Sequence, residues 1–178
     1  MITDKIYLVG FMAAGKSTVA RALSQRLQWR AEDIDELIER RERMTVADVF
    51  ARHGEPYFRQ VEREMLQLVR PLRHIVVATG GGTFVDPDNR ALMCLDGTVV
   101  WLDVPLADLI GRIPQDGRRP LAADRAQLER LYEARTDAYR LAHIRLPAAR
   151  LSASQVVDRL LESIADHPPL LDSPIRQA

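Results

Sequence analysis

Cysteine is almost absent from this chain, and neither sign of charge is in excess. Cys94 is the only cysteine among 178 residues, which excludes an intramolecular disulfide and a cysteine-rich metal site. We interpret it as a buried thiol on a helix. Lysine plus arginine equals aspartate plus glutamate, at 25 each. Because nucleic acids and anionic membranes attract basic surfaces, this balance argues against either of them as a partner.

Long hydrophobic runs are also missing, although 47% of the residues are hydrophobic. No apolar stretch approaches the roughly 20 residues that span a bilayer. The first residues, MITDKIYLVG, carry no signal-peptide pattern. We therefore expect a cytoplasmic, monomeric protein in which residues 1–178 form a single domain.

Short apolar runs rich in β-branched residues alternate with longer segments of helical periodicity. The runs at 5–9, 74–79 and 98–104 are apolar on both faces, which is typical of parallel strands covered by helices. Two further strands are predicted at 29–34 and 143–146. The alternation of strand and helix predicts a doubly wound, three-layer α/β fold.

Helices are predicted wherever apolar residues recur at helical spacing. They cover residues 16–27, 35–43, 46–53, 56–69, 87–94, 106–112, 128–141 and 154–166. The segment 114–124 contains glycine, two prolines and adjacent arginines, and it reads as a loop. The proline-rich segment 167–178 is predicted to be a disordered tail.

Residues 10–18 read GFMAAGKST and match the phosphate-binding pattern G-x-x-x-x-G-K-[ST], the P-loop, between a buried strand and a helix. Its glycines permit a backbone whose successive N–H groups converge on phosphate oxygens. Lys16 supplies a charge for the β- and γ-phosphates, and Ser17 offers its hydroxyl to Mg²⁺. A chance glycine turn would lack this strand–helix context. The predicted nucleotide-binding residues of this segment are Gly10, Ala13, Ala14, Gly15, Lys16, Ser17 and Thr18.

A P-loop can serve a GTPase switch, an ATPase motor or a small-molecule kinase. The only lysines are Lys5 and Lys16, so the chain lacks the N/T-K-x-D stretch of guanine-selective switches. A motor usually ends a strand with an acidic residue that serves Mg²⁺ and water. Here the predicted strand 74–79 ends in Thr79 and runs into glycine. This difference favours phosphoryl transfer to a bound acceptor over hydrolysis.

Two aspartates follow the second predicted strand in the stretch EDIDE. Asp33 and Asp35 are two residues apart, so in a strand they share one face. At the carboxyl end of a parallel strand both would point toward the active-site crevice. One can hold a magnesium-bound water, and the other can accept a hydrogen bond from a hydroxyl and help to remove its proton. A helix N-cap is the competing interpretation of Asp35.

Arginines from three segments are candidates for binding anions. Arg59 lies near the first turn of a predicted helix, where the dipole disfavours a cation, so we expect an anion to hold it. Together with Arg135 it can fork around a carboxylate. Surface ion pairing is the competing interpretation of both. Arg119, in the glycine–proline loop, suits a lid that closes over the transferring phosphate.

The motifs GFMAAGKST, DID, FRQVE, GGGTFVDPDN, RRPL and ARTDAYR, in this order and at these spacings, resemble those of the shikimate kinase family over residues 6–161. The resemblance implies a P-loop fold whose five-stranded parallel sheet has the order 2-3-1-4-5, with flanking helices, a substrate-binding region at about 33–62 and a lid at about 112–125. It implies ATP-dependent, Mg²⁺-assisted phosphorylation of the shikimate 3-hydroxyl in aromatic amino-acid (chorismate) biosynthesis.

The resemblance also assigns roles residue by residue. Lys16, Asp35 and Arg119 would be catalytic, and Asp33 would join Ser17 at Mg²⁺ through water. Arg112 and Arg150 would lie near the nucleotide. The residues that would bind shikimate are Asp35, Arg59, Gly80, Gly81, Gly82 and Arg135.

Two alternatives remain open at this point. A kinase for gluconate or for a nucleoside monophosphate would also use paired arginines, although the glycine run and the DID spacing speak against it. A nucleotide-binding regulator that retains the fold without catalysis would be expected to have lost site residues, and none of the expected types is missing.

Overall fold

The chain is described by a computed structural model that covers residues 4–112 and 125–166. Its centre is a parallel sheet of five strands, in the order β2-β3-β1-β4-β5. This order confirms the topology predicted from the sequence. The strands are β1 (Lys5–Val9), β2 (Arg30–Asp33), β3 (Ile75–Ala78), β4 (Thr98–Asp103) and β5 (Ile144–Pro147).

Helices flank the sheet and connect its strands. The first of them, predicted at 16–27, has these same bounds in the structure. The predicted helices 46–53 and 56–69 form one long element with a kink at Gly54, where φ is 78°. The helices are α1 (Lys16–Leu27), α2 (Ile34–Glu42), α3 (Val46–Val69), α4 (Pro87–Asp96), α5 (Leu106–Ile110), α6 (Arg125–Tyr139) and α7 (Ala153–Asp166).

The second strand is shorter than predicted, and this changes the setting of Asp35. Asp33 ends β2 and caps α2, because its Oδ1 accepts hydrogen bonds from the N–H groups of Asp35 and Glu36 at 2.9 and 3.4 Å. Asp35 therefore lies in the first turn of α2 and does not share a strand face with Asp33. The competing interpretation of Asp35 as an N-cap is therefore wrong, because the N-cap of α2 is Asp33.

The central strands are buried on both faces, as their sequences predict. Every residue of β1 and β3 is buried, and in β4 only Asp103 is partly exposed. Burying a Val, Leu or Ile side chain contributes about 1.5–3 kcal/mol, so these strands contribute substantially to the stability of the core. A rigid sheet of this kind fixes the loops at its carboxyl edge, which carry the candidate site.

A buried ion network closes the amino-terminal edge of the sheet. Lys5 begins β1 with no exposed surface, and its ammonium donates to the Val69 and Arg70 carbonyls and to Asp96 Oδ2, the last at 2.6 Å. Tyr7 donates to the same carboxylate oxygen at 2.6 Å. Burial, together with Asp96, raises the pKa of the Tyr7 phenol. The network ties the end of α3 and the end of α4 to the first strand.

The predicted lid at 112–125 falls largely outside the described residues, and so does the predicted tail at 167–178. Arg119 is among the residues outside. Within the described ranges, no helix combines the length and the apolar character that crossing a membrane requires.

Candidate active site

The P-loop leaves β1 through backbone conformations that side chains rarely adopt. Gly10 has φ of 138°, Ala13 of 62° and Gly15, the N-cap of α1, of 92°. A Cβ atom at Gly10 would also come within 2.8 Å of the Leu102 carbonyl oxygen. Glycine at position 10 is therefore required both by the conformation and by the close approach of β4. The turn delivers the N-terminus of α1, where helix N–H groups point outward, to the carboxyl edge of the sheet.

Lys16 is folded back into the loop that precedes it. Its side chain is 92% buried, and Nζ donates to the carbonyls of Gly10 and Phe11 at 2.9 and 2.8 Å. The ammonium thus lies inside the ring of backbone groups that a P-loop presents to phosphate. This places a positive charge at the expected position of the β- and γ-phosphates.

Ser17 and Asp33 are joined directly. The Ser17 hydroxyl donates to Asp33 Oδ2 at 2.5 Å, while Oδ1 of the same carboxylate caps α2. One aspartate therefore fixes the first turn of α1 against the first turn of α2. The pair presents hydroxyl and carboxylate oxygens side by side, which is the donor chemistry that Mg²⁺ prefers.

A cavity of about 260 Å³ opens above the P-loop and the ends of β2 and β3. It brings together residues predicted for the nucleotide, the metal and the acceptor. Thr79, at the end of β3, also lines it. The predicted residues in its lining are Ala13, Gly15, Lys16, Ser17, Thr18, Asp33, Asp35, Gly81 and Arg112.

The three glycines after β3 leave room for charged side chains of the candidate site. None of them has a positive φ. A Cβ at Gly80 would stand 3.0 Å from Asp35 Oδ1, and one at Gly81 would stand 3.0 Å from Arg135 Nη1. At Gly82 it would come within 2.6 Å of the Arg59 guanidinium. Each missing side chain thus makes room for a different charged group of the candidate site.

Arg59 is held by the chain's own carboxylates. It donates to Glu62 Oε2 at 2.8 Å and to Glu55 Oε1 at 3.0 Å. The Glu62 side chain is 1% exposed, and its other oxygen accepts from the Thr83 hydroxyl at 2.6 Å. Burial opposes the charge of Arg59, but Glu62 and Glu55 outweigh it and raise the pKa of the guanidinium. We expected an anion to hold Arg59, and in this structure the carboxylates of Glu62 and Glu55 do so.

Arg135 is more deeply buried than Arg59 and is less well compensated. Its relative exposure is 7%, and its guanidinium carbon lies 5.8 Å from the centre of the Phe11 ring. Within the described ranges, no carboxylate lies at ion-pair distance from it. Burial, and next the charge of Arg59, lower the pKa of Arg135. The geometry therefore leaves a surplus of positive charge beside Gly81.

The structure also identifies residues that the sequence reasoning missed. Glu62 and Tyr139 are buried next to the two arginines. A signal for Glu62 was present, because it lies four residues from the apolar positions Phe58 and Leu66 on the buried face of α3. Arg150 lies elsewhere: it is 87% exposed, with Nε 3.8 Å from Asp108, and does not line the cavity.

Comparisons with known proteins agree with this geometry. The family model described as "Shikimate kinase" matches residues 12–165. Shikimate kinase of Sulfurihydrogenibium sp. is 42% identical over 160 residues, which are 89% of this chain and 96% of that protein. Shikimate kinase of Persephonella marina is 41% identical, with coverage of 89% and 98%.

A solved structure extends the similarity to three dimensions. Shikimate kinase from Acinetobacter baumannii in complex with shikimate aligns with a TM-score of 0.89 at 32% identity, covering 94% of this chain and 95% of that chain. The chain belongs to the shikimate kinase family.

Proposed function

We propose that this protein transfers the γ-phosphoryl group of ATP to the 3-hydroxyl of shikimate, giving shikimate 3-phosphate and ADP. Family membership supports the reaction, and the cavity at the carboxyl edge of the sheet supports its location. The single observation that carries the proposal is the buried Arg135 guanidinium beside the glycine turn, which has no carboxylate at ion-pair distance within the described residues. A small, hydroxylated carboxylate supplies the missing negative charge and fits against bare backbone.

Asp35 is the proposed base and orienting group. Asp35 and Lys16 both line the cavity. A Cβ atom at Gly80 would lie 3.0 Å from Asp35 Oδ1, so the carboxylate lies beside the glycine turn, where we propose that the acceptor binds. An acceptor hydroxyl there can donate to Asp35 while its oxygen faces the γ-phosphorus. As the new P–O bond forms, the bond to the β-phosphate oxygen breaks, and the hydroxyl proton passes to Asp35.

The P-loop and its lysine would bind and orient the nucleotide. The N–H groups at the start of α1 and the Lys16 ammonium would stabilise the negative charge on the phosphates, and Arg112 also lines the cavity. Arg119 is proposed as the lid arginine that approaches the phosphates, and Arg150 as a contact nearer the base. Ala13 and Thr18, which line the cavity, would complete the nucleotide contacts.

Ser17 and Asp33 fit the requirements of a magnesium ion. Mg²⁺ takes only one or two protein oxygens and fills its remaining positions with water and phosphate. The hydroxyl and carboxylate oxygens that stand 2.5 Å apart supply that pair. When bound, the ion neutralises charge on the β- and γ-phosphates.

An acceptor panel tests the proposed function. We expect ADP release with shikimate, and none above background with gluconate or nucleoside monophosphates. Asp35→Asn should lower kcat by a factor of roughly 10²–10⁴, because it removes the proton acceptor while keeping the shape of the site. Glu36→Gln, the neighbouring exposed carboxylate, is the matched control. Absence of ADP with shikimate would refute the function, and near-normal turnover of Asp35→Asn would refute the role of Asp35.

A further inference from the structure

Tyr139 is a buried phenol that the reaction just described does not use. It lies at the end of α6, four residues after Arg135, so that both side chains lie on the same face of the helix. Its relative exposure is 1%, and its ring lies 6.0 Å from that of Trp101. Its hydroxyl donates a hydrogen bond to the carbonyl oxygen of Gly81.

The carbonyl that accepts from Tyr139 belongs to the peptide between Gly81, which lines the cavity, and Gly82. The C=O of Gly81 and the N–H of Gly82 lie in one planar unit, so fixing the oxygen fixes the direction of the N–H. Within the described part of the chain, the N–H groups of Gly80, Gly81 and Gly82 donate to no other group. Glycine backbone rotates more freely than any other. The orientation of this peptide therefore depends on contacts from outside the turn.

The turn is also anchored on its other side. The Thr83 N–H donates to the Gly80 carbonyl at 3.3 Å, and Arg90 Nη1 donates to the carbonyls of Phe84 and Val85 at 3.2 and 3.0 Å. Between these anchors, Tyr139 is the contact that reaches the Gly81 carbonyl. It is carried by the same helix that carries Arg135, whose Nη1 stands beside Gly81.

We propose that Tyr139 is a positioning residue for the acceptor. By bonding the Gly81 carbonyl, Tyr139 fixes the Gly81–Gly82 peptide so that the Gly82 N–H faces the substrate. It also keeps this N–H at a fixed position relative to the Arg135 guanidinium. The inference rests on the proposed function and extends it to a residue that does not touch the substrate. It implies that the carboxylate is bound by a rigid unit of α6 and the glycine turn.

The Tyr139→Phe variant tests the lock. Loss of the phenol oxygen should raise KM for shikimate about tenfold, the usual effect of one lost hydrogen bond at a buried group. It should leave kcat and KM for ATP within a factor of two, because the lock serves binding in the ground state and the transition state alike. The matched control is Tyr132→Phe on the same helix, whose phenol donates to the Val104 carbonyl at 3.2 Å. This control should leave KM for shikimate unchanged.

A second replacement separates hydrogen bonding from packing. Incorporating 4-aminophenylalanine in place of Tyr139 keeps the ring and restores a donor, so it should return KM for shikimate to the wild-type value. This variant also serves if Tyr139→Phe does not fold, because it leaves no cavity. An unchanged KM in Tyr139→Phe, or a KM that stays raised with 4-aminophenylalanine, would overturn the lock. Wild-type enzyme that forms no ADP with shikimate would instead refute the proposed function.

Discussion

The two edges of the sheet each bury a cation, and they treat it in opposite ways. At the amino edge, Lys5 has no exposed surface, and its three N–H bonds meet three acceptors: two helix-end carbonyls and the Asp96 carboxylate. At the carboxyl edge, Arg135 is almost as buried but has no ion-pair carboxylate within the described residues, whereas the neighbouring Arg59 is paired with Glu62 and Glu55. The first edge is complete, whereas the second is one anion short.

The difference separates structural charge from functional charge. A buried ion costs several kcal/mol of desolvation and is tolerated where hydrogen bonds and an opposite charge offset that cost. Lys5 meets this condition within the chain. The Arg135 charge is compensated only when a ligand supplies an opposite charge. In the protein without ligand, the buried guanidinium therefore lowers the folding stability of this edge. Removing each cation should therefore change stability in opposite directions.

Lys5→Met should produce the largest change in stability. It leaves the Asp96 carboxylate and two helix-end carbonyls without their shared donor, which we expect to lower the free energy of unfolding by about 3–5 kcal/mol. Urea unfolding at neutral pH measures the loss. The double variant Lys5→Met/Asp96→Asn should recover part of it, because the uncompensated charge is gone. A loss below about 1 kcal/mol in the single variant would show that the network is not structural.

Arg135→Met should have the reverse profile. It removes a poorly compensated buried charge and keeps the apolar stem, so the unliganded protein should be as stable as the wild type or slightly more stable. KM for shikimate should rise by a factor of roughly 10² or more, because truncating one partner of a buried charge pair costs about 2–5 kcal/mol. Thermal unfolding and steady-state kinetics check the two halves. The exposed Arg140→Met is the control, and destabilisation without a change in KM would contradict the comparison.

The smallest expected effect is at His143, and it can be varied through the pH. Its Nδ1 accepts a hydrogen bond from the Val99 N–H at 3.0 Å, which requires an unprotonated nitrogen, and burial lowers the pKa of the imidazole below its ordinary 6.5. The unfolded chain therefore binds the proton more tightly. The contribution of His143 to stability is complete above about pH 6.5 and is lost as the pH falls through the lowered folded pKa.

The pH dependence can be isolated by mutation. In His143→Asn, the amide oxygen can accept from Val99 at any pH, so part of the acid-side slope of the unfolding free energy between pH 4 and 7 should disappear. Denaturant unfolding at closely spaced pH values measures that slope. An identical slope in the two proteins would show that His143 does not titrate on unfolding.

The sequence allowed the frame of the molecule to be predicted, because its signals are local. A strand buried on both faces can be identified from its apolar run, and a P-loop from its glycines and its place between a strand and a helix. The predicted strand order of the sheet is confirmed. The position of Asp35 was mispredicted, since one capping side chain, Asp33, decides where β2 stops and α2 begins. No periodicity distinguishes which of two nearby aspartates caps a helix.

What the sequence could not show is pairing across long separations. The spacing along α3 indicates that Glu62 is buried, but it does not show that one of its oxygens accepts a hydrogen bond from Thr83, 21 positions away. The bond from Tyr139 to Gly81 spans 58 positions, and the bond from Lys5 to Asp96 spans 91. Such contacts depend on the assembled sheet and leave no trace in local composition.

The resting position of Lys16 has a consequence for nucleotide affinity. By bonding the Gly10 and Phe11 carbonyls, the ammonium acts as an internal template that keeps the loop in shape before any phosphate arrives. Ordering a loop of this length would otherwise cost about 1–2 kcal/mol of conformational entropy per residue at the moment of binding. Most of that entropy is already lost in the folded chain, so a nucleotide meets a preorganised ring and needs only to exchange lysine contacts.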